Sequence, residues 1–518
     1  MARTSTETLA STASTPTEPA PPSINSSRST SPPPPTSSVH SAQHDYPPSR
    51  PDERQQTQLA QPDRGKAAYL FLLGAFSIET LVWGLPSSYG VFLDYYQREG
   101  INGRHAGSSL LPLVGTVASG FIYLLGPPIS ILLNPRPRWR LHVIRLGAVL
   151  CSLSLLLSSF ARESWQLLLT QGLLYSIGGS MAYYSTFYFL QEWFVERRGF
   201  ANGVCFAGTA AGGLVLPFIL NALLERYGAA LTLRALAVST FILLGAAVPL
   251  VRPRLPLPPK NLAEKQKKAD DVDEAEAADQ VAERPAVQKE RVTLKKMAKN
   301  LKLWVFLVAN SKSFSLASRF DLADPPRRQS AKHSATSSRF CTCRRMRQYS
   351  LGLSGSEGSA LLACVNGACV LSRVGMGILS DKHSPHRLGL ATMLASSVAV
   401  LVLWGVAATS LAPLLVFSVV MGLVSGGWTS MYSAIINSVV RDDPSLASHL
   451  FSTLSFTRGL GAVLCAPISS ALISHPFAGA SKHTAYGAAN GRFGGVVLFA
   501  GLAMGMAAGC EGVEALLG

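Results

Sequence analysis

The run from Ser359 to Ser380 fixes the solvent in which this chain folds. It is apolar and long enough to cross a bilayer core as a helix, for which about twenty apolar residues suffice. Arg373 is its only ionisable side chain. A guanidinium at that depth costs at least about 2.5–3.5 kcal/mol on insertion scales, so it faces a partner or a water-filled path. Arg373, Gly377 and Asp381 follow one another at i, i+4 and i+8 and share a helix face. The glycine on that face admits a neighbouring backbone. Asp381-Lys382-His383 marks the return to water, and Arg387 follows.

The rest of the chain repeats this pattern of apolar block and short charged loop. Of 518 residues, 15% are charged and 48% hydrophobic, against about 25% charged in a soluble domain. Mean hydropathy is +0.25. The formal charge of +16 does not indicate nucleic acid, because the basic residues lie between apolar blocks, as in inside-positive loops. The eight cysteines are scattered, mostly within apolar blocks, and read as small core residues. Cys341-Thr342-Cys343 lacks the paired spacing of a zinc site. Neither a metal cluster nor a catalytic nucleophile is expected, no G-x-x-x-x-G-K-[ST] loop is present, and no cofactor is called for. The chain reads as a transporter body and not as an enzyme.

In order, residues 1–65 are rich in Ser, Thr and Pro and are expected to be a disordered cytosolic tail. Residues 66–251 form a first six-helix bundle, with spans at about 67–93, 108–133, 146–161, 165–190, 201–224 and 235–251. The arginines at 136, 138 and 140 and the charged stretch Gln191 to Arg198 fall in loops on one side, which positive-inside bias makes cytoplasmic. Residues 252–300 are a polar cytosolic linker. Residues 301–510 form the second bundle, with spans at about 359–380, 388–408, 411–440, 449–473 and 494–508, and 511–518 are a C-terminal tail. The expected fold is an all-α membrane protein of two six-helix bundles, about twelve spans, with its N-terminus in the cytosol.

One segment breaks the pattern. A seventh span starts at Leu301 and fails at Ser311-Lys312-Ser313, and residues 311–350 are polar and strongly basic where parity makes them external. Either the conceptual translation is wrong here, or the segment is a genuine insertion beside a shortened span. Sequencing the transcript across codons 300 to 360 decides between the two: an uninterrupted match to these residues ends the first explanation.

Two groups of six spans around a cytosolic linker, with Gly377-Ile378-Leu379-Ser380-Asp381-Lys382-His383 and Arg387 between spans eight and nine, resemble the major facilitator superfamily. The matching first-half loop, Asn134 to Arg140, is degenerate. Trp83-Gly84-Leu85-Pro86-Ser87-Ser88-Tyr89-Gly90, Glu192-Trp193-Phe194 with Arg197-Arg198-Gly199, and Phe456-Thr457-Arg458-Gly459 resemble its fungal monocarboxylate-transporter-like branch. The resemblance implies alternating access of a midplane site between two rocking bundles. It also implies secondary active transport of a small organic anion, monocarboxylate in type, across the plasma membrane in preference to the vacuolar one.

The resemblance places Arg373 at the carboxylate-binding arginine of span eight, where a planar fork suits the anion. Ser87 stands where animal relatives carry a lysine, and Cys369 where they carry an acid. If proton coupling survives, Glu79, deep in span one, carries it. Trp83, Tyr184, Asn366 and Arg458 complete the substrate-facing set, and Gly377, Asp381, Lys382, Glu192, Arg197 and Arg198 the conformational gate. Each has a plainer reading beside it. Arg373 could clamp two helices through carbonyls, Glu79 could be a hydrogen-bonded packing residue, and Arg458 could snorkel. Trp83, Tyr183 and Tyr184 could be core or lipid-facing, and Glu192, Arg197 and Arg198 a solvated ion-pair patch. Two further functions stay open: export of a secondary metabolite or uptake of a larger, riboflavin-like anion, and a membrane sensor that moves nothing.

Overall fold

The computed structural model describes residues 60–101, 110–134, 136–255, 355–407, 411–440, 444–474, 486 and 494–517. Residues 1–59, most of the linker and the anomalous stretch 311–350 with its interrupted seventh span lie outside the described residues. Within them the regular elements are helices. Hydrocarbon offers no partner to a backbone N–H or C=O, and a helix satisfies both internally.

In the first half, α1 (Lys66–Glu99) is followed by α2 (Leu111–Leu124) and α3 (Gly126–Leu133). The last two form one span, with a step at Leu125 just ahead of Pro127-Pro128, where proline opens a new first turn. Helix α4 (Trp139–Ser158) comes next. Helix α5 (Ser164–Leu167), held at its start by a reciprocal Glu163–Gln166 capping box, runs through a π-helical stretch Leu168–Leu174 into α6 (Tyr175–Trp193). Helix α7 (Arg198–Ala247) has 50 residues, too many for one crossing, and Gly228 at φ 73° breaks it into two legs. A residue without Cβ takes that conformation without steric cost. The fifth and sixth spans read from the sequence are these two legs.

In the second half come α8 (Gly355–Ser380) and α9 (Pro385–Val398), which continues as a π-helix over Ala399–Ala407. Then α10 (Leu411–Ser425), a 3-10 turn Trp428–Met431, α11 (Tyr432–Val440), α12 (Pro444–Ser474) and α13 (Gly494–Leu517) complete the described chain. Among the described residues, seven stretches are long and apolar enough to cross a membrane, and Arg198–Leu250, which holds both legs of α7, is one of them.

Three of the boundaries that differ from the sequence reading matter most. Helix α4 begins at Trp139 instead of Leu146, and α6 continues to Trp193, so Arg140 and Glu192 are helical and not in loops. These ends are extended because Arg140 Nη1 and Glu192 Oε1 pair at 3.3 Å between the two helices. Helix α13 runs to Leu517, through residues read as a tail. Its last turns carry Glu511 and Glu514, which end the apolar run the span reading looked for, while Ala515-Leu516-Leu517 favour helix.

The bundle is apolar outside as well as inside. On α4, Leu146, Val149, Leu153 and Leu156 are exposed, while Ile144, Ala148, Cys151 and Leu155 are buried. Both sets recur at helical spacing, one against lipid and the other against protein. With no hydrophobic drive separating helix from lipid, association depends on close packing of small residues. The first leg of α7 shows this on two sides. A Cβ at Gly208 or Gly212 would stand 2.5 Å from the Phe76 or Thr80 carbonyl of α1, and one at Gly203 would collide with the Arg373 carbonyl of α8. Gly377 of α8 lies against Gly199 in the same way. Gly377→Val is therefore expected to lower stability by about 1–3 kcal/mol, read as a lower unfolding temperature in detergent; an unchanged midpoint would show that this crossing is not tight.

Candidate functional site

Glu79 lies on α1 with 2% exposure, and its Oε2 accepts from Thr209 Oγ1 of α7 at 3.1 Å. Its Oε1 is buried with no hydrogen-bond partner among the described residues. The charges of Arg373 and Arg458 both act on Glu79, which places one carboxylate and two guanidinium groups in a single buried neighbourhood between the halves.

Arg458 projects from α12 with 4% exposure, and its guanidinium carbon stands 4.9 Å from the centre of the Tyr123 ring on α2. It does not snorkel: buried beside an aromatic face, it is held there by a cation–π contact. The rings extend from this point. Trp83 of α1 and Tyr123 are 4.4 Å apart, Tyr183 of α6 meets Trp83 edge-on at 5.7 Å, and Tyr183 and Tyr184 cross at 4.8 Å. Phe187 of α6 and Phe451 of α12 stack at 4.4 Å, joining the two halves by ring contact. Trp83, Tyr183 and Tyr184 are 3%, 3% and 1% exposed, which rules out a lipid-facing position.

Arg373 is placed differently. Its Nε donates to the Gly426 carbonyl at 3.3 Å and its Nη1 to the Phe206 carbonyl of α7. The guanidinium thus ties the second half to the first through main-chain oxygens. Asn366, two turns earlier on α8, adds a bond from Nδ2 to the Gly213 carbonyl at 3.2 Å. Tyr184 donates from its hydroxyl to the Tyr123 carbonyl at 3.0 Å. Ser87 is buried on α1, one turn beyond Trp83.

The end of the bundle where α7 and α12 begin carries most of the remaining polar contacts between halves. Asp381, just past α8, accepts from the backbone N–H of Gly199 at 2.7 Å and of Phe200 at 2.8 Å, in the first turn of α7. A carboxylate is favoured there by the free N–H groups and the helix dipole. Arg198 Nη1 donates to Asn437 Oδ1 at 2.8 Å, and Asn134 and His449 approach to 2.7 Å. Lys382 and Arg197 are exposed. The patch of Glu192, Arg197 and Arg198 is not a solvated ion-pair cluster: Glu192 pairs with Arg140, whose side chain is 16% exposed against its own 17%, and Arg198 bridges to the second half.

Sequence reasoning missed Asp63. The stretch assigned to the tail ends in a buried residue, 4% exposed, at φ 59°. Its carboxylate accepts from the N–H groups of Val195, Glu196 and Arg197 at 2.9–3.1 Å, and its own N–H donates to the Trp193 carbonyl at 2.9 Å. The one available signal was an acid just ahead of a glycine and the first apolar run. Asp63→Ala takes the carboxylate acceptor from three part-buried N–H groups; hydrogen bonds to a charged group contribute about 1.5–3 kcal/mol each, of which water restores a part. The variant is expected to unfold at lower temperature and to become protease-sensitive at the α6–α7 loop; full protection of that loop would contradict the assignment.

An all-helical membrane bundle in two halves, with charges buried between them, defines the class of secondary transporters. The family model described as Major Facilitator Superfamily matches residues 54–320, just over half of the chain. The chain belongs to the Major Facilitator Superfamily, and it is a transporter and not an enzyme. It is 23% identical over 416 residues to "MFS transporter asaE" of Aspergillus flavus, covering 80% of this chain and 82% of that one. Over 207 residues it is 33% identical to the "Fujikurins efflux protein" of Gibberella fujikuroi, 39% of this chain and 42% of the relative. "Monocarboxylate transporter 10" of Danio rerio is 28% identical over 208 residues, 40% of each chain. Among solved structures, the transporter FucP superposes with a TM-score of 0.56 at 10% identity, over 86% of this chain and 99% of its own. That likeness concerns the fold.

Proposed function

We propose that the chain exports a small organic anion, bound between the halves by Arg458 and released by alternating access. The observation that carries this reading is Arg458 itself, a buried cation from the second half placed on an aromatic ring of the first. An arginine in that position meets a carboxylate with a planar fork and little reorganisation. The basic end is taken as cytosolic on the positive-inside rule, so the Asp381, Arg198 and His449 contacts close the cytosolic side. Arg373 then acts on the conformational equilibrium: rocking must break its bonds to Phe206 and Gly426. Export is favoured over uptake by the name of the Gibberella relative, an efflux protein whose substrate stays its own. Driving energy comes from an ion gradient, with Glu79 the carboxylate placed to couple protons.

The test is efflux from preloaded cells lacking their own carriers, with the wild-type chain against Arg458→Ala at matched surface expression. Flux that requires Arg458 supports the reading. Binding without flux in either direction supports the sensor, and flux indifferent to Arg458 removes the proposed anion site. Glu79→Gln is expected to abolish pH-gradient-driven accumulation while sparing exchange; unchanged coupling excludes Glu79 as the proton carrier.

A further inference from the structure

We infer that the anion is aromatic and carries a hydrogen-bond donor, as a phenolic acid does, and that short aliphatic monocarboxylates are poor substrates. The inference rests on the transport reading above and names the substrate class of that same site.

Three features converge. First, the cation at the site is embedded in rings: Arg458 lies over Tyr123, Tyr123 lies against Trp83, and Tyr183 presents its edge to both, at 5.7 and 6.3 Å. Phe451, from the same helix as Arg458, reaches Tyr183 at 6.2 Å. A two- or three-carbon acid would use the guanidinium and leave this surface unmatched. A planar ring exchanges one stacking or edge contact for another as it enters, and each such contact favours an aromatic over an aliphatic group of equal size.

Second, Glu79 lies one helical turn before Trp83 on α1, so the carboxyl and the indole share a helix face. Third, Glu79 Oε1 has no hydrogen-bond partner among the described residues although the side chain is 2% exposed. A buried acceptor left open beside an aromatic cluster calls for a donor. Tyr183 links the two parts, since it is close enough to feel the charges of both Glu79 and Arg458. A ring with its carboxylate on Arg458 and a hydroxyl on Glu79 satisfies all three.

The experiment uses the purified full-length chain in liposomes, with counterflow of labelled 4-hydroxyphenylacetate competed by matched acids. Benzoate should compete about 5- to 10-fold better than cyclohexanecarboxylate, which has the same size without π-electrons. 4-Hydroxyphenylacetate should outcompete phenylacetate by a similar factor, and Glu79→Gln should narrow that second preference while leaving the first. Tyr123→Leu should erase the benzoate preference, and Tyr123→Phe should restore it, which separates ring recognition from a folding defect. Lactate, pyruvate or acetate moved as well as the aromatic acids would overturn the inference while leaving the carrier reading intact. A correctly inserted chain that exchanges neither class would overturn both.

Discussion

Arg458→Ala is expected to reduce anion transport about 10- to 100-fold, with the protein still inserted and folded. A hydrogen bond to a charged group contributes about 1.5–3 kcal/mol, and a buried guanidinium offers a carboxylate two of them in parallel. Arg458→Lys should recover only part of the loss, because an ammonium keeps the charge and loses the fork. Arg373 gives the comparison. Arg373 already has main-chain acceptors on Phe206 and Gly426, so Arg373→Ala should alter the rate of interconversion more than apparent affinity. Initial rates across a concentration series separate the two, and equal affinity losses at both positions would return Arg373 to the ligand.

The second large effect is expected at Asp381. Its carboxylate takes two N–H groups from the first turn of α7, and Asp381→Ala removes these two charge-assisted bonds between the halves. The Arg198–Asn437 bond at the same end remains; at about 1.5–3 kcal/mol for each bond lost, the closed arrangement should lose at least 10-fold in population relative to its alternative. A cysteine introduced at Asn202, 2% exposed on α7, should then react faster with an impermeant thiol reagent applied from the basic side. An unchanged labelling rate would mean that Asp381 caps the helix without gating the path.

Apolar block length alone made the helices legible, because lipid leaves the backbone no other solution. Gly377 and the Gly208–Gly212 pair announced close crossings before any contact was seen, since small residues at that spacing have few other uses in a membrane. Harder to read was how the two buried arginines are held. Arg373 stood out as the lone charge in a long apolar run, yet its partners are carbonyls, which leave no trace in side-chain identity. Arg458 came less conspicuously, near polar neighbours, and only the approach of α12 to α2 puts it on Tyr123. Glu192 was misjudged for a related reason: its partner Arg140 is distant in sequence, and both belonged to helix ends that propensity places loosely.

Asp63 and Arg254 belong to the two long polar segments that flank the first half, and they meet at one place. Arg254 donates from Nε to the Ala60 carbonyl at 2.9 Å and from its backbone N–H to Glu192 at 3.3 Å, while Asp63 holds residues 195–197. Those residues lead directly into Gly199 and Phe200, where Asp381 binds. The described end of the tail, the described start of the linker and the Asp381 contact are therefore moored to a common cleat. A chain trimmed to begin at Lys66, the first residue of α1, would keep every span and still lose its mooring.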